Sequence, residues 1–452
     1  MRLPGRRHLR TFTSLSGAGV GEALLPALSL MALVRLTGTH VSGQVIFAQS
    51  VAGVWFLLLD PCLENAAQRF VPMEQERSGR GASLFAGMLR WDVLIGVAVT
   101  GAGLAVVAAV RLLGLAPAEV QLMLALAVVT RGAMAPYGTA SAGFALADRL
   151  QGLGLLRLGC AVLSFGLSVG GLLAGGALLY LAGQAVAAAV MAPVYCALAT
   201  RVLRAGLGPP GPRVPMPAGM IPFLLKTSVG TTVAGVSDVG ILSFAGFIGG
   251  PSLVTILKIA SAPGRFYANL AIPIAAMLYP RISHRIATDA GTAAVRRDMT
   301  RTTWLFTVAG AVTVAAALPV IDDVMGLAYG HGYARAGGVA MLLLAAACVK
   351  GMVLWSNVLP LALGRAGWRL AYLTAEGVCF VAVLAVAHLA APEVFRTSLV
   401  YGWGVLAAAV AGTGFWIVSM RRVLADDRSR PLDPDAGRIP GEETAGAGTG
   451  RA

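Results

Sequence analysis

The chain is 452 residues long, 57% of them hydrophobic and 12% charged, with a mean hydropathy of +0.76. Soluble domains carry about a quarter charged residues, so this chain lacks the polar surface to fold in water and reads as a membrane protein. Its net charge of +14 does not mark a nucleic-acid binder, because the basic residues sit in short clusters between apolar runs, with no basic helix and no interleaved aromatics.

From the N-terminus, Arg6-Arg7-His8-Leu9-Arg10 precedes an apolar run and resembles a twin-arginine or secretory leader. An uncleaved first helix with a cytoplasmic basic anchor accounts for the same residues. Apolar segments long enough to cross a hydrocarbon core of about 30 Å follow at roughly 12–36, 43–66, 90–112, 120–146, 154–175 and 178–203. A linker over 209–219, with Pro209, Pro210, Pro212, Pro215 and Pro217, interrupts the series. Six more segments fall at roughly 220–247, 251–279, 302–321, 337–364, 369–390 and 397–420. The expected architecture is therefore an all-α polytopic membrane protein of about twelve transmembrane helices, with an N-terminal six-helix lobe over 1–208 and a C-terminal one over 220–424. The tail, 425–452, is rich in Pro, Gly, Asp and Arg and buries too little apolar area to offset its ordering entropy, so it is expected to be disordered.

Most of the 35 basic residues fall in alternate connections, around Arg77 and Arg80, Arg149 and Arg157, Arg201 to Lys226, Arg281 to Arg301, and Arg365 and Arg369, and in the two ends of the chain. The positive-inside bias then puts those connections and both termini in the cytoplasm of a plasma (inner) membrane. The opposite face carries only Arg35, Arg111, Arg335 and Arg396 on short loops. Stretches 73–88 and 280–300 mix charge with apolar residues and read either as interfacial helices or as solvated loops.

Metal, redox and nucleotide sites find no support. Cys62, Cys160, Cys196, Cys348 and Cys379 are scattered, and no histidines sit at ligand spacing. Gly17, Gly19 and Gly21 lie inside an apolar span with no preceding strand, so they read as small-residue helix packing, as do Gly166, Gly170, Gly171 and Gly175. No cofactor and no catalytic residue is expected.

The two halves share patterns. Gly43-Gln44-Val45-Ile46 opens the second span as Pro251-Ser252-Leu253-Val254 opens the eighth, and Phe70-Val71-Pro72 matches Leu278-Tyr279-Pro280 at the same offset. Arg131-Gly132 in the fourth span has an analogue in Lys350-Gly351 of the tenth. Two related bundles are the expectation, and repeat interfaces near the midplane are where transporters bind substrate.

Three stretches carry a family likeness: Ser42-Gly43-Gln44-Val45-Ile46-Phe47-Ala48-Gln49-Ser50, then Asp60-Pro61-Cys62-Leu63-Glu64-Asn65-Ala66-Ala67-Gln68-Arg69-Phe70-Val71-Pro72, and Gly152-Leu153-Gly154-Leu155-Leu156-Arg157-Leu158. With the layout of six spans, linker and six spans, the chain resembles the multidrug/oligosaccharidyl-lipid/polysaccharide (MOP) exporter superfamily, and within it the polysaccharide flippases of the Wzx kind. The resemblance implies two six-helix bundles around a central cavity, opening alternately to each side. It also implies a polyprenyl-pyrophosphate-linked oligosaccharide as cargo in bacterial cell-surface polysaccharide biosynthesis, and contact with a polysaccharide polymerase or glycosyltransferases. The lipid II branch would have basic residues on the second span, whereas this chain has Asp60 and Glu64 near its end.

Ionisable residues inside spans are the functional candidates, since each costs about 2.5–3.5 kcal/mol at a helix centre unless it faces a cavity or a partner. Lys258, Arg265 and Asn269 lie seven and four residues apart on one face of the eighth span, and Arg131 and Lys350 join them as cations that belong to no loop. They either hold the substrate's pyrophosphate or pair with carboxylates; for Arg131 and Lys350 a following glycine favours the packing role. Glu22, Asp238 and Glu376 are the intraspan carboxylates, serving either as coupling-ion sites or as partners of the cations. Asp60 and Glu64 read as anchors, with Arg69 within helical reach of Glu64. Two rivals stand beside the flippase: an ion-coupled drug or metabolite antiporter of the same superfamily, and a membrane glycosyltransferase or polymerase, for which only Asp322 and Asp323 on an outward loop offer acids.

Overall fold

A computed structural model describes residues 6–212, 214–217, 219–287, 292–357, 359–362 and 366–426. These residues are helical almost throughout, in the order α1 (Arg6–Leu59), α2 (Leu63–Ser78), α3 (Gly81–Leu112), α4 (Ala118–Met134), α5 (Tyr137–Leu146), α6 (Leu150–Leu207), α7 (Met220–Gly235), α8 (Ile241–Ala287), α9 (Thr292–Ala317), α10 (Ile321–Tyr329), α11 (Gly337–Gly351), α12 (Leu359–Ala362), α13 (Ala366–Ala390) and α14 (Val394–Asp426). A π-helical turn, Val236–Gly240, joins α7 to α8. Among the described residues, eight helical runs are long and apolar enough to cross a membrane, or nine if the pair bent by 68° at Val295–Ala317 and Ile321–Tyr329 counts as one span. The protein is multi-pass.

Two of those runs, Leu24–Ser78 and Leu150–Leu207, are 55 and 58 residues long, far beyond the roughly 20 that one crossing needs. The excess is absorbed at glycines. In α6 the chain doubles back at Gly175 and Gly176: Gly171 then lies against the Leu179 backbone and Gly183 against that of Leu167, where any Cβ would overlap a carbonyl oxygen. Gly176 takes φ 78°, a left-handed region that an L side chain resists. Gly38 in α1 and Gly250 in α8 hold nearly the same conformation, φ 75°, ψ −178° and φ 74°, ψ −177°. Divided at these glycines, the runs give the twelve spans expected from the sequence, and the fold is the all-α polytopic bundle it predicts. The turns at Gly38 and Gly250 are 212 residues apart, whereas the sequence patterns match at an offset of 208, one helical turn away.

The stretch 73–88 is the end of α2 and the start of α3, separated by a turn at Gly79, where the helix ends in a left-handed cap. Part of 280–300 and the tail from 427 onward lie outside the described residues.

The chain divides into two compact units. The first comprises Met1–Ala262, Ile321–Ala340 and Gly377–Tyr401, the second Pro263–Val320, Met341–Glu376 and Gly402–Ala452. Among the described residues of the first unit, two apolar cores stand out. One gathers Phe70, Phe85, Phe144, Tyr195 and Met220; the other gathers Leu33, Val45, Met123, Leu172 and Tyr180. The second unit packs Trp355 and Trp416 with Val295 and Met299, and Tyr267 with Phe306 and Cys348. Many large apolar side chains stay outside these cores, Leu112, Phe247, Leu327 and Leu389 among them. Such a surface is stable against lipid and would aggregate in water.

Candidate functional site

The second span, running from Gly38 to Leu59, meets the π-turn and both flanking helices along its whole length. At one end the Ser42 hydroxyl lies 3.1 Å from Thr255 Oγ1, which donates to Thr39 O at 2.8 Å. Gly43 packs so closely on Pro251 that a Cβ there would overlap its carbonyl. Midway, Phe47 meets Phe247 edge to face, and the Ser50 hydroxyl donates to Val239 O at 2.6 Å beside the Ser243 hydroxyl at 2.8 Å. Further along, Thr232 donates to Leu57 O at 2.8 Å and the Ser228 hydroxyl bonds Asp60 O. Small and hydroxyl residues let these backbones approach and give the exposed carbonyls of a π-turn their donors.

Arg131 enters this seam from α4. It is exposed, and among the described residues no carboxylate forms an ion pair with it. At Gly53 the second span has a gap: a Cβ there would sit 3.1 Å from Val239 Cγ1 and 3.6 Å from Arg131 Nη2. The guanidinium thus lies beside the π-turn across a glycine. Gly132, next to Arg131, packs directly on Thr100 of α3, in keeping with the close helix packing read from the sequence. The backbone of Asp238 lies in that π-turn; its side chain falls outside the described residues.

The remaining candidates distribute as follows. Lys258 is half-buried on α8, flanked by buried Leu257 and Ile259, and belongs to the first unit. Arg265, half-buried, and Asn269, exposed, lie further along the same helix in the second unit. The Ser261 hydroxyl bonds the Lys258 carbonyl at 2.8 Å. Glu22 of α1 and Arg157 of α6 stand 4.0 Å apart, both half-exposed. In the second unit, Lys350 Nζ is 3.0 Å from Glu376 Oε1, and Tyr372 OH donates to the same carboxylate at 3.4 Å. Tyr372 stacks on Phe415 and tilts against Trp416. The structure therefore joins the candidate cation Lys350 to the candidate carboxylate Glu376.

Sequence reasoning gave Asp322 a loop and no role beyond the enzyme reading. It sits in the first turn of α10, packed on Gly337 at the start of α11. Asp92, near the start of the third span, is not among the candidates the sequence offers. The structure buries it: Asp92 is 6% exposed. Arg69 does not take the place beside Glu64 that helical spacing offers; its guanidinium lies over the rings of Phe70 and Phe223, 5.7 and 4.9 Å from their centroids.

No family model matches the chain, and no curated protein matches it. Solved structures do. An inward-facing multidrug resistance transporter of the MATE family of the MOP superfamily superposes with a TM-score of 0.63 at 13% identity, covering 90% of this chain and 96% of the other. A MATE protein in complex with MaL6 gives 0.62 at 13% identity, covering 92% and 97%. The lipid II flippase MurJ, in an inward closed conformation, gives 0.58 at 11% identity, covering 90% and 87%. At such identities the likeness is one of fold, and the chain has the fold that these MOP-superfamily proteins share.

Proposed function

We propose that this chain, with its MOP-superfamily fold, is a membrane transporter that moves a polyprenyl-pyrophosphate-linked oligosaccharide from the inner to the outer leaflet of a bacterial plasma membrane. It does so by alternating access of two lobes, 1–208 and 220–424, with both termini in the cytoplasm. The observation that carries the reading is the set of cations within the spans, Arg131, Lys258, Arg265 and Lys350, in a fold shared with a lipid-linked flippase. A pyrophosphate crossing the bilayer must be held away from hydrocarbon, and charge-assisted hydrogen bonds from guanidinium and ammonium groups do this best. Asn269 adds a neutral donor on the same helix as Lys258 and Arg265. Glu22, Asp238 and Glu376 are the acids through which an ion gradient would drive the cycle. Cell-surface polysaccharide assembly then supplies its partners: the lipid-linked oligosaccharide, and the polymerase or glycosyltransferases on either side of the step.

The test is flipping of a fluorescent polyprenyl-pyrophosphate oligosaccharide in vesicles holding the full chain. Lys258→Gln and Arg265→Gln should each cut the rate at least about tenfold in folded protein, and Arg265→Lys should restore only part, since lysine keeps the charge but loses the planar fork that grips phosphate. Unchanged rates in both Gln variants overturn the cation role.

One observation favours a second reading, an ion-coupled drug or metabolite antiporter. Glu376 meets Tyr372, which packs on Phe415 and Trp416, the carboxylate and aromatic surroundings that suit an organic cation. Efflux of a cationic dye by the same vesicles, with no movement of the lipid-linked sugar, would select it.

A further inference from the structure

The first unit holds another group of ionisable side chains, distinct from every residue the transport reading uses. Its centre is Asp92 of α3, 6% exposed. On either side of it along α3, Phe85 lies against Gly143 and Gly96 against Ala135, which sets Asp92 level with Thr139 of α5. Thr139 is wholly buried, and its Oγ1 makes no hydrogen bond of ordinary geometry with any other group. A buried hydroxyl left in that state is rare and costs about 1–3 kcal/mol unless something completes it.

The surroundings supply more negative charge, and no ion pair among the described residues offsets it. The Glu64 carboxylate is pressed on the first turn of α5, where a Cβ on Gly138 would overlap it. Asp60 Oδ1 accepts from Cys62 N at 2.8 Å, in the break between α1 and α2 where Cys62 adopts a left-handed φ of 52°. Two thiols lie in the same field, Cys62 beside Asp60 and Cys196 on α6. The nearest expected cation, Arg69, is turned onto the Phe70 and Phe223 rings. Among the described residues no ion pair reaches Asp60, Glu64 or Asp92.

We propose that Asp92, with Glu64 and Asp60 around it and Thr139 completing it, is a proton-binding site. A carboxyl buried as Asp92 is, with no ion pair to it among the described residues, is held at lower cost as the acid than as the anion, and a bound proton removes its repulsion from Glu64. Thr139 suits this role because a hydroxyl can donate to a carboxylate or accept from a carboxylic acid. A metal ion needs converging ligands, and among the described residues no three acidic, histidine or cysteine side chains form such a group. The site touches two joints of the bundle. Pro136 separates α4 from α5 three residues before Thr139, and the Asp60 carbonyl receives the hydroxyl of Ser228 from α7. Uptake or loss of a proton therefore acts where the fourth span is broken and where α7 is tied to the end of the second span. The coupling of that proton to a cargo rests on the transport reading; the binding of the proton does not.

The experiment is infrared difference spectroscopy of the full chain in lipid nanodiscs, taken between about pH 8 and about pH 5, reading the C=O band of protonated carboxyl groups and its shift in heavy water. The band should be lost in Asp92→Asn and kept in Glu76→Gln and Glu119→Gln, two exposed carboxylates outside the site. Thr139→Val should keep the band, change its frequency, and move its midpoint by about one pH unit, a tenfold change in proton affinity. An unchanged band in Asp92→Asn overturns the proposal. So does a band abolished by sodium chloride but not by potassium chloride, which would make the ligand a sodium ion. Should Asp92→Asn fail to insert, Thr139→Val and Glu64→Gln carry the same test, and an unmoved midpoint in both refutes the site. A nanodisc that binds the proton yet moves no lipid-linked sugar would leave the site standing and remove the transport reading.

Discussion

The ammonium of Lys350 lies 3.0 Å from Oε1 of Glu376, the lysine 42% exposed and the carboxylate only 9%. This ion pair joins two residues that the sequence offered for different tasks, anion binding and ion coupling. An anionic group arriving at Lys350 has to compete with Glu376. The pair is therefore either a structural clamp of the second unit or a latch that substrate opens, and the two make different forecasts.

Neutralising one partner tests the clamp. Glu376→Gln should lower the thermal stability of the solubilised protein by an amount equivalent to about 2 kcal/mol, less than the roughly 3–5 kcal/mol typical when a fully buried pair is broken, because the pair is only partly buried. If the pair is only a clamp, the Lys350→Met, Glu376→Gln double variant recovers both stability and transport. If Lys350 holds the cargo, the double variant recovers stability and still fails to transport.

The seam along the second span forecasts an asymmetry among glycines. Gly43→Ala forces a Cβ into the Pro251 carbonyl, whereas Gly101→Ala meets nothing within 4 Å. Thermal unfolding in detergent should show a loss of about 1–3 kcal/mol for the first, the cost typical of overpacking, and almost none for the second. Equal effects would mean that the close approach at Pro251 relaxes freely.

Gly53 makes a graded case. Alanine brings a methyl to 3.1 Å from Val239 Cγ1 and 3.6 Å from Arg131 Nη2, which small shifts accommodate; leucine fills the gap between the arginine and the π-turn. Gly53→Ala should retain most transport, and Gly53→Leu should lose at least about tenfold while remaining in the membrane, since displacing a positioning contact by an ångström costs on that order. Equal transport by both variants would show that Arg131 has no role at the gap.

Orientation is tested by cysteine labelling in a background from which Cys62, Cys160, Cys196, Cys348 and Cys379 are removed. Ser78 and Gly332 are both exposed and lie at opposite ends of their spans by the positive-inside count. Ser78→Cys should react only with reagent supplied from the cytoplasm, and Gly332→Cys only from outside. Labelling of Ser78→Cys from outside would invert the topology.

The helical, multi-pass character of this protein was determined by composition and period alone. A bilayer offers no water to the backbone, so apolar runs of sufficient length have only the helix available to them, and their number follows from the sequence although their ends shift by up to about ten residues, as where the second span ends at Leu59 and the third begins at Gly81. Gly38, Gly176 and Gly250 were visible as glycines, but nothing local distinguishes a glycine that turns the chain from Gly101 or Gly230, which meet nothing. What tertiary structure alone decided is which charges meet. Helical spacing set Arg69 beside Glu64, yet Phe223, remote in sequence, draws the guanidinium away. Asp92, near the start of the third span, is buried by helices packed around it, and Lys350 meets Glu376 on a different helix. Burial of an ionisable group depends on helices far apart in the chain, and periodicity within one helix carries no information about them.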